Sequence, residues 1–219
     1  MNKKYELIIF DWDGTIVDSF SKIIRCIQDA SIKLDWPAPT ANAIRPIIGL
    51  SFKDAWSTLF PTIPVEYHDI FLNHYSEEFF EERDDSKLFD PVISLLDKLT
   101  DQSYLLAVAT GKGRRGLDHE LHTHNLSHYF ITTKTTTECF SKPHPQMVEE
   151  ILHFTGLEPS QAIVIGDSIY DIQMAHNARV DSIHITQEKN IDYGAAKSSV
   201  KHRINCIGEA HTILCQDIS

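Results

Sequence analysis

The run Leu7-Ile8-Ile9-Phe10 is apolar at every position and stops at Asp11. Side chains alternate between the two faces of a strand, so this run has no face suited to water. It predicts a strand buried on both sides, the setting of a parallel sheet. The runs at 104–109 (YLLAVA) and 162–165 (AIVI) read the same way, with 183–185 a weaker fourth. Helical stretches lie between them. Asp90-Pro91 reads as an N-cap and first-turn proline ahead of the stripe Val92, Leu95, Leu96 and Leu99. Pro145 opens another helix, which carries Val148, Ile151 and Leu152 and ends near Gly156. Strands alternating with helices predict an α/β fold, a doubly wound parallel sheet of Rossmann-like form.

Residues 18–85 break the alternation. Phe20, Ile23, Ile24 and Ile27 recur at helical spacing, and Pro37 and Pro39 bound that helix. Ser51 is placed to cap a second helix through Phe60, and a third carries Tyr67, Ile70, Phe71 and His74 into the acidic stretch 77–85. The expected organisation is an α/β core of residues 1–17 and 86–219 with an all-helical insertion at 18–85. A chain of 219 residues, 42% hydrophobic and 23% charged, is long enough for such a core. Its net charge of -11 repels nucleic acid and anionic membranes, so an acidic substrate must be met by a local set of cations. Scattered cysteines and the lack of a long apolar N-terminal run point to a cytoplasmic protein.

The chemistry gathers at the strand ends. Asp11 and Asp13 stand two apart after the first strand, so both can face one site while Trp12 points away. Gly14 lets the backbone turn and brings N–H groups toward an anion. Two such carboxylates suit a division of labour, one attacking phosphorus and the other passing a proton. Thr110-Gly111 follows the second strand and offers a hydroxyl and an accessible backbone. Lys142, just before a helix, supplies positive charge. Asp167 and Asp171 follow the third strand. A phosphate dianion cannot sit among four carboxylates without a cation, and Mg²⁺ suits an oxygen-rich site that retains water and phosphate ligands.

This set, Asp11-Trp12-Asp13-Gly14-Thr15, Thr110-Gly111, Lys142 and Gly166-Asp167 with Asp171, resembles the haloacid dehalogenase superfamily. The resemblance is to its phosphoglycolate-phosphatase-like branch, which carries an all-helical cap after the first motif. It implies a Mg²⁺-dependent phosphatase acting on a small phosphorylated metabolite through an aspartyl-phosphate. Asp11 would be the nucleophile and Asp13 the general acid and base. Thr110 and Lys142 would bind the phosphoryl group, with the backbone at Gly14 and Gly111. Asp11, the Asp13 carbonyl and Asp167 would hold the metal, and Asp171 would orient Lys142 or water ligands.

Two alternatives stand beside this reading: a phosphomutase of the same superfamily, and a catalytically silent binding protein on the same scaffold. Thr15 favours the phosphatase, and the presence of Asp11, Asp13, Lys142 and Asp167 together disfavours the silent protein. Arg45, Gly49 and Lys53 are the candidates for substrate contact from the insertion. Lys112, Arg114 and Arg115 read as first-turn surface charges, and the histidines at 119, 122, 124 and 128 as a surface helix. Arg179 stands where the family usually has glycine, and residues 187–199 resemble their family counterpart poorly.

Overall fold

The computed structural model describes residues 3–80 and 86–216. In chain order β1 (Leu7–Phe10) and β2 (Val17–Asp18) precede four helices, α1 (Phe20–Lys33), α2 (Ala41–Ile44), α3 (Phe52–Leu59) and α4 (His68–Phe80). Then follow β3 (Lys87–Leu88), α5 (Val92–Asp101), β4 (Leu105–Thr110), α6 (Arg114–Thr123), β5 (Thr132–Thr135) and α7 (Gln146–Thr155). The chain continues with β6 (Ala162–Gly166), α8 (Ile169–Asn177), β7 (Asp181–Ile185), β8 (Val200–Ile204) and α9 (Ala210–Gln216).

Six strands form one sheet in the order β5-β4-β1-β6-β7-β8. Every adjacent pair is parallel, with Phe10 opposite Val108 on one side and Ile165 on the other. The fold is thus a doubly wound, Rossmann-like parallel sheet. The unbroken apolar runs have the burial they require: Ile8, Phe10, Leu106, Val108, Ile163 and Ile165 pack on α5, α6 and α9. Leu7, Ile9, Ala107, Ala109 and Val164 pack on α7 and α8.

The helical stretch between β2 and β3 has its own apolar core, built on Ile23, Ile27, Ile44, Trp56, Leu59 and Phe71. Trp36 stacks on Phe71 at 6.0 Å, and Ser51 caps α3 by accepting the Asp54 N–H. Of the acidic stretch 77–85, Glu77 and Glu78 belong to α4 and residues 81–85 lie outside the described residues.

Some local expectations change. Pro91, not Asp90, takes the N-cap position of α5, without a side-chain bond, and the helix begins at Val92. Edge strands β5 (TTKT) and β8 (VKHRI) carry no apolar run, because an edge strand has fewer neighbours to bury it. The short pair β2–β3 and helix α2 were likewise too brief to leave a periodic signal. Arg179 adopts the left-handed conformation with φ 61° just past α8, doing there what glycine does without a Cβ penalty. Residues 194–199 form a single 3-10 helix.

Candidate active site

β1 stands between β4 and β6, so the chain leaves it at the point where the sheet's winding reverses. The carboxyl ends of those three strands carry Asp11, Thr110 and Asp167. Lys142, 1% exposed, reaches between them: its ammonium lies 2.5 Å from Asp11 Oδ1 and 2.6 Å from Asp171 Oδ1. Asp171 also closes the capping box of α8, whose N-cap is Ser168. Its Oδ2 accepts from the Ser168 N–H and hydroxyl, so both of its oxygens are committed and the lysine is held in place. Thr15 donates its hydroxyl to Asp167 Oδ1 at 3.1 Å.

Three buried or half-buried carboxylates, Asp11, Asp167 and Asp171, thus share one lysine. Burial, together with the Asp171 charge, drives the Asp11 carboxyl well above the ordinary range despite Lys142. Burial and the same neighbour push Asp167 up to about 7. Burial works against the Lys142 ammonium, but Asp11 and Asp171 more than offset it and hold its proton tightly. Beside burial, an excess of negative charge acts in all three shifts.

The donor set fits a divalent cation. Carboxylate oxygens of Asp11, Asp167 and Asp171 lie within 4.8 Å of one another. Asp11 Oδ2 is buried with no hydrogen-bond partner among the described residues, an arrangement that costs free energy unless something binds it. Gly14 makes room for the cluster: at φ 87°, a Cβ there would meet Asp167 Oδ2 at 2.3 Å. Behind the cluster, His184 donates from Nε2 to the Asp167 carbonyl at 3.0 Å and accepts from the Tyr193 hydroxyl at 2.8 Å. Burial lowers the His184 pKa and keeps the ring neutral, so the stretch 187–199 contributes a residue that steadies the Asp167 backbone.

Asp13 belongs to a second group. Its Oδ1 accepts from the Ser19 hydroxyl at 2.5 Å and pairs with Lys112 at 3.1 Å. Lys112 also lies 3.5 Å from Glu120, which is fully buried on α6 and accepts the Trp12 indole N–H at 2.5 Å. Lys112 is therefore not a surface charge as its first-turn position suggested; it turns inward because two buried carboxylates wait there. Burial opposes its charge, yet Asp13 and Glu120 raise its pKa. Burial raises that of Glu120 against the pull of Lys112. A legible signal existed: Glu120 interrupts the buried stripe Leu117, Glu120 and Leu121 of α6, where only a partnered acid is tolerable.

The helical stretch sits directly over these loops. Gly111 passes so close to the Gly49 carbonyl that a Cβ would stand 2.3 Å from it, and the Ser51 N–H donates to Ser141 Oγ at 2.9 Å. Thr110 is buried and accepts the Lys112 N–H. Between the two layers lies a cavity of about 960 Å³ whose lining includes Asp13, Gly49, Lys53 and Lys112. Arg45 is not brought to it: its guanidinium is exposed and lies over Phe20. Arg114 is tied to Asp118 and Glu138. Among the described residues the histidines of α6 join no metal-binding group.

An acid-lined, lysine-centred site at the switch point of a Rossmann-like sheet, under a helical layer, defines a hydrolase of the phosphoryl-transfer kind. The chain belongs to the haloacid dehalogenase-like hydrolase family, whose model matches residues 8–185. The "Probable phosphatase IndB" of Dickeya dadantii is 31% identical to it, the match covering 82% of this chain and 80% of that one. The phosphoglycolate phosphatase of Mannheimia succiniciproducens is 28% identical over 90% of this chain and 93% of its own. Among solved structures, a haloacid dehalogenase-like hydrolase from Streptococcus pneumoniae superposes with a TM-score of 0.78 at 23% identity, covering 96% and 98% of the two chains. The chain is a phosphoglycolate-phosphatase-like member of the family. No helix among the described residues is long and apolar enough to cross a membrane.

Proposed function

We propose that this enzyme is a Mg²⁺-dependent phosphatase that hydrolyses a phosphate monoester through a phospho-aspartate on Asp11. The observation that carries the reading is the state of Asp11: one oxygen is fixed by Lys142 while the other is buried beside Asp167 with no partner among the described residues. The Asp11 carboxylate attacks phosphorus and forms an acyl phosphate as the P–O bond to the alcohol breaks. Asp13, held by Ser19 and Lys112, gives its proton to the departing oxygen. It then takes a proton from the water that attacks the acyl phosphate, which releases inorganic phosphate and restores Asp11.

Lys142, the Thr110 hydroxyl and the backbone N–H at Gly111 hold the phosphoryl oxygens, and Asp171 positions Lys142; the Gly14 N–H, expected to join them, is taken by the Val17 carbonyl at 2.8 Å. Asp11, the Asp13 carbonyl and Asp167 would hold Mg²⁺, which when bound would offset the charge of the phosphoryl group. Residues 18–85 act as a cap that excludes water during attack on phosphorus and admits it for hydrolysis.

The test is phosphate release from p-nitrophenyl phosphate with and without Mg²⁺, in the parent enzyme and in Asp11→Asn. Turnover should require the metal and vanish in the variant while its circular dichroism stays that of the parent. Wild-type turnover by Asp11→Asn would remove Asp11 as nucleophile.

A further inference from the structure

The cavity between cap and core is the least explained space in the molecule. At about 960 Å³ it stands at the upper end of the range that drug-sized ligands occupy, far beyond the needs of a two-carbon acid. One face of α4 lines it from end to end: His68, Leu72, Tyr75, Ser76, Phe79 and Phe80 recur at helical spacing. From His68 to Phe79 that face runs about 16 Å, from the rise per residue. The Phe79 end lies at the chemistry, with the Lys112 ammonium 4.6 Å and the Lys22 ammonium 4.0 Å from its ring centre.

The wall is aromatic. Tyr75 stacks on Phe79 at 5.9 Å and meets Phe52 at 4.8 Å, and Ile23 and Ile27 of α1 face the same space. At the far end His68 rests on Trp56 at 5.4 Å, and its Nε2 is buried with no hydrogen-bond partner among the described residues. Among the described residues the lining cations other than Lys53 are engaged. Lys112 faces Asp13 and Glu120, Arg114 faces Asp118 and Glu138, and Arg115 lies 4.2 Å from the Phe80 ring centre. Lys53 stands exposed. A short carboxylate or a second phosphate would therefore enter a largely apolar space with no free buried cation among the described residues to meet it.

We propose that the substrate is the phosphate ester of a bulky, uncharged alcohol carrying a flat aromatic ring. The ring lies along the Phe52–Tyr75–Phe79 wall and a polar edge reaches His68 Nε2. This deepens the phosphatase reading and rests on it for turnover. Flat rings gain from offset and edge contacts with aromatic walls, and the orphaned imidazole nitrogen supplies one directional bond.

Naphthylethyl phosphate and ethyl phosphate share a primary-alcohol leaving group and differ in the ring. With the Mg²⁺-loaded enzyme, kcat/KM should favour the naphthyl ester by roughly 100-fold, the worth of burying about 110 Å² of apolar surface. Equal values, or a preference for phosphoglycolate over the naphthyl ester, would overturn the proposal. Leu72→Trp fills the middle of the cavity and should reduce the ratio of the two kcat/KM values at least about tenfold, from the same area arithmetic. Both esters report on the same folded population, so partial misfolding leaves that ratio unchanged; an unchanged ratio refutes the cavity as ring site. Binding of the matching phosphonates separates the two readings. Tighter binding of naphthylethyl phosphonate without hydrolysis of either ester would uphold the ring site and sink the phosphatase. Equal binding of both phosphonates would sink the ring site alone.

Discussion

Removing the ammonium of Lys112 tests the second charge group directly. Lys112→Met keeps the length of the side chain and deletes a cation that stands 3.1 Å from Asp13 and 3.5 Å from Glu120. At an effective dielectric of about 20, each contact corresponds to about 5 kcal/mol of gross attraction. The cost of burying the ammonium offsets much of that, and breaking such a buried group typically costs about 3–5 kcal/mol. Glu120 has an escape: burial already raises its pKa, so it can take up a proton once Lys112 is gone. The expected loss is therefore about 3 kcal/mol at neutral pH, equivalent to roughly 6–12 °C in Tm for a chain of this size.

Glu120→Gln keeps an acceptor for the Trp12 indole and should cost only about 1 kcal/mol. The double variant removes the stranded charge, so it should recover about 2 kcal/mol relative to additivity. Urea unfolding of the four proteins, extrapolated linearly, gives this coupling. Additivity within about 0.5 kcal/mol would show that Lys112 and Glu120 do not act as a pair and would refute the account.

Asp13→Asn should leave substrate binding in place and lower kcat by about 10²- to 10⁴-fold, measured in steady-state phosphate release; a twofold loss would assign the proton to another group. Asp167 links metal binding to pH. Its folded pKa of about 7 lies above the ordinary carboxylate value, so the metal-free folded state binds the extra proton. That contribution to stability is complete below about pH 4 and is lost as pH rises toward 7. Magnesium competes with the same proton, so its dissociation constant should grow up to about tenfold per unit below pH 7; calorimetry showing no proton release at about pH 6 would contradict this. Arg179→Gly relieves a left-handed backbone and should raise stability by about 0.5–1 kcal/mol, read as a higher urea midpoint; an unchanged or lower midpoint would count against strain there.

The sequence by itself determined the framework of the site. Leu7–Phe10, the runs before Thr110 and Asp167, and the absence of any water-facing parity in them required a parallel sheet. Placing Asp11, Thr110 and Asp167 at the ends of three such runs required them to share one edge. Local rules carried Gly14, the Ser51 cap and Arg179, because each depends on its own backbone and near neighbours.

What the sequence left open is what depends on distance along the chain. Lys112 looks like any helix-start lysine until α6 folds back to put Glu120 beside Trp12 and Asp13 beside both. Arg45 and Lys53 flank the same glycine, yet one is turned onto Phe20 and the other toward the cavity. His184 and Tyr193 support Asp167 only because β7 pairs with β6. Electrostatic partnership depends on separation in space and on burial, and both are set by how the layers pack.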